Sequence, residues 1–250
     1  MSLTKEYANQ NQWRNWEHYL NKIPIKKDDT VIDLGCSLGF VSTLLAAKAK
    51  QVIGVDMDEQ LINKAKTVQS APNIEYILGN LNEIDQISLP MVNGIWSSFT
   101  AAYFTNFSKT LDQWLALLKP GGWIALVEID NFFGHTPLSE TAQEQFRKYY
   151  QFQLKNELYD FEMGSKLKNI LQNKNLQIIH EASVEDKELS FNGPAEPQII
   201  EAWKTRLGRM KPLQSFLDEN FQKVKTEFLS CLLSAEHQSI CEVKFIVARK

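Results

Sequence analysis

The feature of this chain that most restricts its fold is an apolar strand that passes directly into a glycine-containing turn and a helix. Residues 31–40 read Val-Ile-Asp-Leu-Gly-Cys-Ser-Leu-Gly-Phe. Such a run is typical of a parallel strand buried on both faces, and Gly35 and Gly39 allow backbone conformations that a side chain would block. Because open α/β sheets bind ligands at the carboxyl ends of their strands, we expect a ligand to lie against this turn.

The spacing of the turn argues against a dinucleotide. The pattern G-x-G-x-x-G needs a middle glycine so that a pyrophosphate can touch the backbone, and Ser37 occupies that position. The sequence is instead Asp-x-Gly-x-x-x-Gly, beginning at Asp33. A plain tight connection between a strand and a helix also fits this spacing, so the residues that follow have to distinguish the two interpretations.

A second apolar strand, residues 51–56, ends in Asp56. A carboxylate at the end of the second strand of a nucleotide-binding unit can accept hydrogen bonds from both ribose hydroxyls. Asp56 could instead cap the next helix, but Asp58 is better placed for capping. We therefore predict that Asp56 binds a ribose.

The motifs that come next extend the same arrangement along the chain. A third strand, residues 74–78, runs into Gly-Asn, and a fourth covers residues 92–97. The turn Leu-Lys-Pro-Gly-Gly at residues 118–122 precedes a fifth strand, residues 123–130. In this order, the motifs over residues 31–130 resemble those of the class I S-adenosylmethionine-dependent methyltransferases that act on small molecules.

The resemblance implies S-adenosylmethionine as the cofactor and S-adenosylhomocysteine as its product. The family usually has Asp where this chain has Asn80, whose amide oxygen can also accept from the adenine amino group. The N-terminal segment often folds over the cofactor, where a tyrosine hydroxyl or an arginine can meet the methionine carboxylate. The expected cofactor-binding residues are Tyr7, Trp13, Arg14, Asp33, Gly35, Cys36, Gly39, Asp56, Met57, Asn80, Leu81 and Ser97.

The same resemblance implies an α/β fold with a doubly wound, seven-stranded, mostly parallel sheet. The sixth strand is predicted at residues 178–180 and the seventh, antiparallel, at residues 242–249. We interpret residues 1–250 as a single domain with an N-terminal helical cap (1–29), a cofactor-binding core (30–131) and helical insertions (132–175 and 192–238). The aromatic insertions read as a substrate lid, although ordinary helices covering the sheet account equally for many of those side chains.

Candidates for catalysis are fewer and weaker. Small-molecule methyltransferases similar to this chain often carry histidines after the fourth strand, but this chain has Ala102 and Tyr103 at that place. The resemblance therefore assigns no catalytic base to a residue of this chain. Tyr103 and His135 are the predicted catalytic residues, His135 competing with a role as a surface or capping residue. Glu128 and Asp130 could orient a cationic substrate, or Asp130 could simply end its strand.

Composition narrows the classes of partner. The net charge of −3 and pI near 5.9 lack the basic footprint of a nucleic-acid-binding protein. Three widely separated cysteines suggest neither disulfides nor a metal site, and no stretch approaches the ~20 apolar residues of a membrane span. We therefore expect a cytoplasmic protein, monomeric or homodimeric, without nucleic-acid or membrane partners.

The function predicted from these observations is methyl transfer from S-adenosylmethionine to a small-molecule acceptor. Two alternatives stay open: a cofactor-binding sensor or partner subunit without turnover, and a methyltransferase acting on protein or RNA. The signatures of adenine, glutamine and cytosine methylation are missing from the chain. The identity of the acceptor and of its methylated atom is not encoded in these motifs.

Overall fold

The computed structural model describes residues 3–104 and 106–250, with side chains from residue 6 onward. Its described strands are β1 (Thr30–Leu34), β2 (Gln51–Asp56), β3 (Ile74–Leu78), β4 (Val92–Ser98), β5 (Leu118–Asp130), β6 (His135–Thr136), β7 (Gln177–Val184), β8 (Gln238–Ser239) and β9 (Glu242–Arg249). Its described α-helices are α1 (Leu3–Trp13), α2 (Trp16–Leu20), α3 (Phe40–Ala46), α4 (Glu59–Val68), α5 (Phe107–Ala116), α6 (Glu140–Lys155), α7 (Met163–Asn173), α8 (Pro197–Arg209), α9 (Lys211–Leu217) and α10 (Phe221–Leu233).

The main sheet has seven strands in the order β3-β2-β1-β4-β5-β9-β7. Strands β1 to β5 pair in parallel, and β9 is antiparallel to both β5 and β7. The predicted fold class is confirmed. Strand order reverses beside β1, whose neighbours are β2 and β4, and the crevice at such a switch point is where these sheets bind ligands.

Two details differ from the sequence prediction. The sixth strand of the main sheet, β7, extends over eight residues rather than three. The Lys-Pro-Gly-Gly segment lies within β5, where Leu118 pairs with Val92 and Trp123 with Gly94, so residues 119–122 form a bulge instead of a separate turn. A bulge leaves extra residues unpaired and bends the strand, which explains why a glycine-rich turn signal falls inside a strand.

The two faces of the sheet carry separate cores because side chains alternate along each strand. On β5, Val127 joins the core that includes Trp16 and Trp203, whereas Leu126 joins the core that includes Trp114 and Leu167. Helices α2, α3, α6, α8, α9 and α10 pack on the first face, and α5 and α7 on the second. The sheet is therefore covered on both sides, which suits strands that are apolar on both faces.

The N-terminal segment forms two helices rather than one. Asn15 separates them and accepts a hydrogen bond from the backbone N–H of His18 at 3.2 Å, which caps α2. Trp16 and Leu20 of α2 are buried and belong to the core of the first sheet face. None of the described helices is long and apolar enough to cross a membrane.

Candidate functional site

The glycine turn after β1 has the strained geometry that its sequence predicts. Gly35 and Gly39 adopt φ of +77° and +75°, and Ser37 between them has φ of +50°. A Cβ added to Gly35 would lie 2.2 Å from Thr100 Oγ1, and one added to Gly39 would lie 2.1 Å from the Tyr76 hydroxyl. Packing inside the protein, as well as any ligand, therefore requires glycine at both positions.

Asp56 closes the turn from the neighbouring strand. Its carboxylate accepts hydrogen bonds from the backbone N–H of Ser37 at 2.8 Å and of Asp58 at 3.0 Å. Burial raises its pKa, and these two backbone donors oppose that shift. A carboxylate offers about four lone-pair positions, so Asp56 retains acceptor capacity for two ribose hydroxyls while holding the turn in place.

Asp33 lies beneath the turn rather than on its open side. Its side chain is buried and accepts a hydrogen bond from Ser42 Oγ at 2.5 Å, which ties the end of β1 to α3. Burial raises the pKa of Asp33 to about 7. The structure therefore gives Asp33 a role in shaping the turn, and its predicted contact with the cofactor remains a prediction.

We expect this buried carboxyl group to make folding stability depend on pH. A raised pKa in the folded state means that the native protein binds more protons than the unfolded chain between about pH 4 and 7, so stability falls as pH rises through that window. Asp33→Asn should flatten this dependence by at least about 1 kcal/mol, because one pKa unit corresponds to about 1.4 kcal/mol. Urea unfolding of both proteins at pH 5 and pH 8 gives the change in unfolding free energy between the two pH values. An equal change in the wild-type and Asp33→Asn proteins would contradict the prediction.

An apolar surface lies beside Asp56 at the ends of β2 and β3. Met57 and Leu78 are 72% and 49% exposed. Asn80 uses its amide oxygen to accept from the backbone N–H of Asn82 at 3.0 Å, which caps a short 3₁₀ helix, and Leu81 is buried beneath it. The exposed apolar groups suit one face of an adenine, and the amide oxygen of Asn80 keeps a second lone pair for its amino group.

Two of the predicted cofactor residues brace the site from inside. Ser97 Oγ donates to the carbonyl of Leu34 at 2.9 Å and links β4 to β1. The backbone N–H of Cys36 donates to the carbonyl of Val55 at 3.1 Å, and its side chain is buried. Their direct contact with a cofactor remains a prediction.

Arg14 belongs to a buried ion network. Its guanidinium lies 3.2 Å from Asp186 and 3.4 Å from Glu188, and Glu188 also pairs with Arg206 of α8. The same guanidinium stacks over the ring of Phe99, 4.6 Å from its centroid. A methionine carboxylate would have to compete with two buried protein carboxylates for Arg14, so the structure favours a role for Arg14 in holding the N-terminal segment.

The other predicted N-terminal contacts lie at the same place. Trp13 is partly buried against the core of the first sheet face. Burial raises the pKa of the Tyr7 hydroxyl, and the nearby charges of Arg206 and Arg209 lower it while that of Asp56 raises it. Tyr7 is therefore within electrostatic reach of both the Asp56 carboxylate and α8.

Tyr103 lies next to these groups. It is 62% exposed, and the surrounding protein raises the pKa of its hydroxyl to about 12, with Tyr7 and Glu128 adding to the shift. Its ring meets that of Tyr159 edge to face, with centroids 4.8 Å apart.

His135 is buried in the protein core. It is 1% exposed, its ring contacts Trp203 and Phe228, and burial lowers its pKa to about 3. His237 donates through Nδ1 to the Gly193 carbonyl at 2.8 Å, so its Nε2 accepts from His135 Nδ1 at 2.9 Å. This pair joins the second insertion to the loop after β5, and we do not propose a catalytic role for His135.

Sequence reasoning missed several groups close to Tyr7 and Tyr103. Arg206 and Arg209 lie on α8, and Tyr159 lies in the loop before α7. No sequence motif relates these three residues to the glycine turn, and only tertiary packing brings them close to it. The one available signal was Glu128, a charged residue in an otherwise apolar strand, which was noted only as a possible partner for a cationic substrate.

Comparison with known proteins points to one family. The sequence profile of the methyltransferase domain family matches residues 25–182. The trans-aconitate 2-methyltransferase of an Azoarcus species is 28% identical over 109 residues, which are 43% of this chain and 42% of that protein. An uncharacterised RNA methyltransferase of Oceanobacillus iheyensis is 36% identical over 63 residues, which are 24% of this chain and 14% of that protein.

The fold is also found among solved structures. A provisionally assigned methyltransferase of Bacillus halodurans superposes with a TM-score of 0.65 at 16% identity, covering 94% of this chain and 98% of that one. The curated relatives above are matched over less than half of their own length. Since the family profile covers well over half of the chain, the chain belongs to the methyltransferase domain family, whose cofactor is S-adenosylmethionine.

Proposed function

We propose that this protein transfers a methyl group from S-adenosylmethionine to a small-molecule acceptor. The observation that carries the proposal is a cluster of tyrosines near Asp56. The ring of Tyr103 contacts that of Tyr159, and the hydroxyl of Tyr7 is within electrostatic reach of Asp56 and of the two arginines of α8. Aromatic side chains with a few polar groups are typical of small-molecule sites. The alternative readings from the sequence are a cofactor-binding sensor and a methyltransferase that acts on a macromolecule.

The residues present fit the cofactor. Asp56 would hold the ribose hydroxyls, Met57 and Asn80 would face the adenine, and the Gly35 to Gly39 turn would lie along the methionine chain. When bound, S-adenosylmethionine supplies a methyl group on a sulfonium, which an acceptor displaces in line. The protein contributes orientation and the exclusion of water.

Contacts between distant segments favour a small acceptor over a polymer. Glu6 of α1 pairs with Arg209 of α8 at 2.8 and 3.2 Å, which joins the N-terminal cap to the second insertion over the site. Arg14 makes a second link of this kind through Glu188. These links hold the two segments together, and a net charge of −3 gives a nucleic-acid strand little attraction.

Label transfer tests the proposal. The protein is incubated with methyl-labelled S-adenosylmethionine and a panel of metabolites, and separately with total RNA and with cell protein. We expect label only in small molecules. Label in RNA or protein would support the macromolecular alternative, and saturable cofactor binding without any transfer would support the sensor.

We further predict that residues 7–16 and 194–217 close over the bound cofactor. Lids of this kind sequester reactive groups from water, and the Glu6–Arg209 pair already joins the two segments. Amide hydrogen exchange in both segments should slow on addition of S-adenosylhomocysteine. If exchange slows only in the Asp33 to Gly39 turn, residues 7–16 and 194–217 have a structural role and do not act as a lid.

A further inference from the structure

Glu128 is a buried carboxyl group whose hydrogen bonding is incomplete. It lies near the carboxyl end of β5 and is 1% exposed. Its Oε1 accepts from the backbone N–H of Ala102 at 3.2 Å, and its Oε2 has no hydrogen-bond partner among the described residues. A buried polar atom left unpaired is costly and usually has a functional reason.

The groups nearest to Glu128 carry the two tyrosines. Glu128 accepts from the 3₁₀ turn Ala101–Tyr103, and Asp160, next to Tyr159, donates its backbone N–H to the Ala102 carbonyl at 2.9 Å. After burial, the charge of Glu128 is the largest influence that raises the pKa of Tyr159, and it also raises that of Tyr103. The carboxyl group is thus hydrogen-bonded to the turn that bears Tyr103 and is within electrostatic reach of both tyrosine hydroxyls.

We propose that Glu128 and the rings of Tyr103 and Tyr159 bind the ammonium group of the methyl acceptor, so that the substrate is an amine. This inference rests on the proposed function and names its substrate class. An ammonium group satisfies the unpaired Oε2 with a charge-assisted hydrogen bond, and tyrosine faces attract cations. A carboxylate or phosphate placed here would be repelled by Glu128.

The same carboxylate can receive the proton that the amine has to lose. The proton leaves the ammonium nitrogen and goes to Glu128 Oε2, which leaves a lone pair on the nitrogen. The nitrogen–carbon bond to the methyl group would form as the carbon–sulfur bond breaks, and the electron pair of that bond would stay on the sulfur of S-adenosylhomocysteine. Without a cation nearby, burial raises the pKa of Glu128 to about 8. The other groups that bear on it are the backbone donors of Thr100 to Ala102 and of Ile129, and the hydroxyls of Tyr103 and Tyr159, on which the charge of Arg206 also acts. Binding of an ammonium group favours the ionised form.

The first test uses the wild-type protein saturated with S-adenosylhomocysteine and a simple cation. The carboxyl resonances of ¹³C-labelled glutamate are titrated in methylammonium chloride and in sodium chloride of equal ionic strength. Glu128 is recognised by its high midpoint. We expect methylammonium, which can donate to Oε2, to lower that midpoint by at least about one pH unit, and identical midpoints in the two salts would overturn the proposal.

The second test uses Glu128→Gln, which keeps an acceptor for the Ala102 N–H and removes the charge. Label transfer is measured on a panel of amines and the alcohols that match them in shape. We expect transfer to amines alone, reduced at least about a hundredfold in the variant, with unchanged calorimetric affinity for S-adenosylhomocysteine. Glu128→Asp, which retains a carboxylate, should recover part of the rate.

The outcomes separate the two proposals. Transfer to alcohols only, or full activity of Glu128→Gln on amines, overturns the role of Glu128 and leaves methyl transfer in place. Failure of the wild-type protein to bind S-adenosylhomocysteine overturns the proposed function itself. If Glu128→Gln does not fold, as thermal melting would show, the titration of the wild-type protein still decides the question.

Discussion

Replacing Glu188 with glutamine is expected to cost about 3 to 5 kcal/mol of folding stability. Glu188 is fully buried and its carboxylate contacts the guanidinium groups of Arg14 and Arg206. The variant removes the charge that both guanidinium groups contact, and a buried charge without compensation is strongly destabilising. Urea unfolding of both proteins at pH 7 measures the difference.

A matched control lies on the same helix as Arg206. Glu201 pairs with Lys204 at 2.6 Å, but both side chains are about half exposed or more. Exposed ion pairs contribute about 0 to 1 kcal/mol, so Glu201→Gln should change stability little. A loss below about 1 kcal/mol for Glu188→Gln would show that the network contributes no more than a surface pair.

Replacing Asp56 with alanine is expected to weaken binding of S-adenosylhomocysteine at least about tenfold. Hydrogen bonds to a charged group contribute about 1.5 to 3 kcal/mol, and 1.4 kcal/mol is a factor of ten in affinity. The variant also frees the Ser37 N–H that holds the turn, which acts in the same direction. Isothermal titration calorimetry gives the affinity.

Asp58 supplies the control for this experiment because it lies two residues away and has a different role. It caps α4 by accepting from the backbone N–H of Gln60 and Leu61. Asp58→Ala should therefore lower stability by about 1 kcal/mol and leave cofactor affinity unchanged. Equal affinities of the Asp56→Ala and wild-type proteins would reduce Asp56 to a residue that ties the turn.

The central motifs of the fold were accessible from sequence because they are local. The apolar run before Gly35 and the carboxylate that ends β2 follow from periodicity and turn chemistry over about ten residues at a time. A resemblance between ordered motifs then supplied the seven-stranded sheet and its antiparallel last strand. These are properties that neighbouring residues determine without help from distant parts of the chain.

The roles of individual polar side chains were less accessible because they depend on partners far away in sequence. Arg14 was expected at the methionine carboxylate, yet Asp186 and Glu188 hold it. His135 was expected near the methyl acceptor, yet it is buried against His237, 102 residues later. A side-chain type predicts what it can bind, but only packing decides which partner it meets.

The sequence by itself therefore determined the sheet, the glycine turn and the carboxylate at Asp56, since hydrophobic periodicity and backbone strain act locally. Only the tertiary structure decided which groups surround the site. It brought Glu6 to Arg209, 203 residues apart, and brought Glu128 to the turn that carries Tyr103, with one carboxylate oxygen unpaired. Burial is the physical reason, because it leaves a polar group only the partners that the fold brings to it.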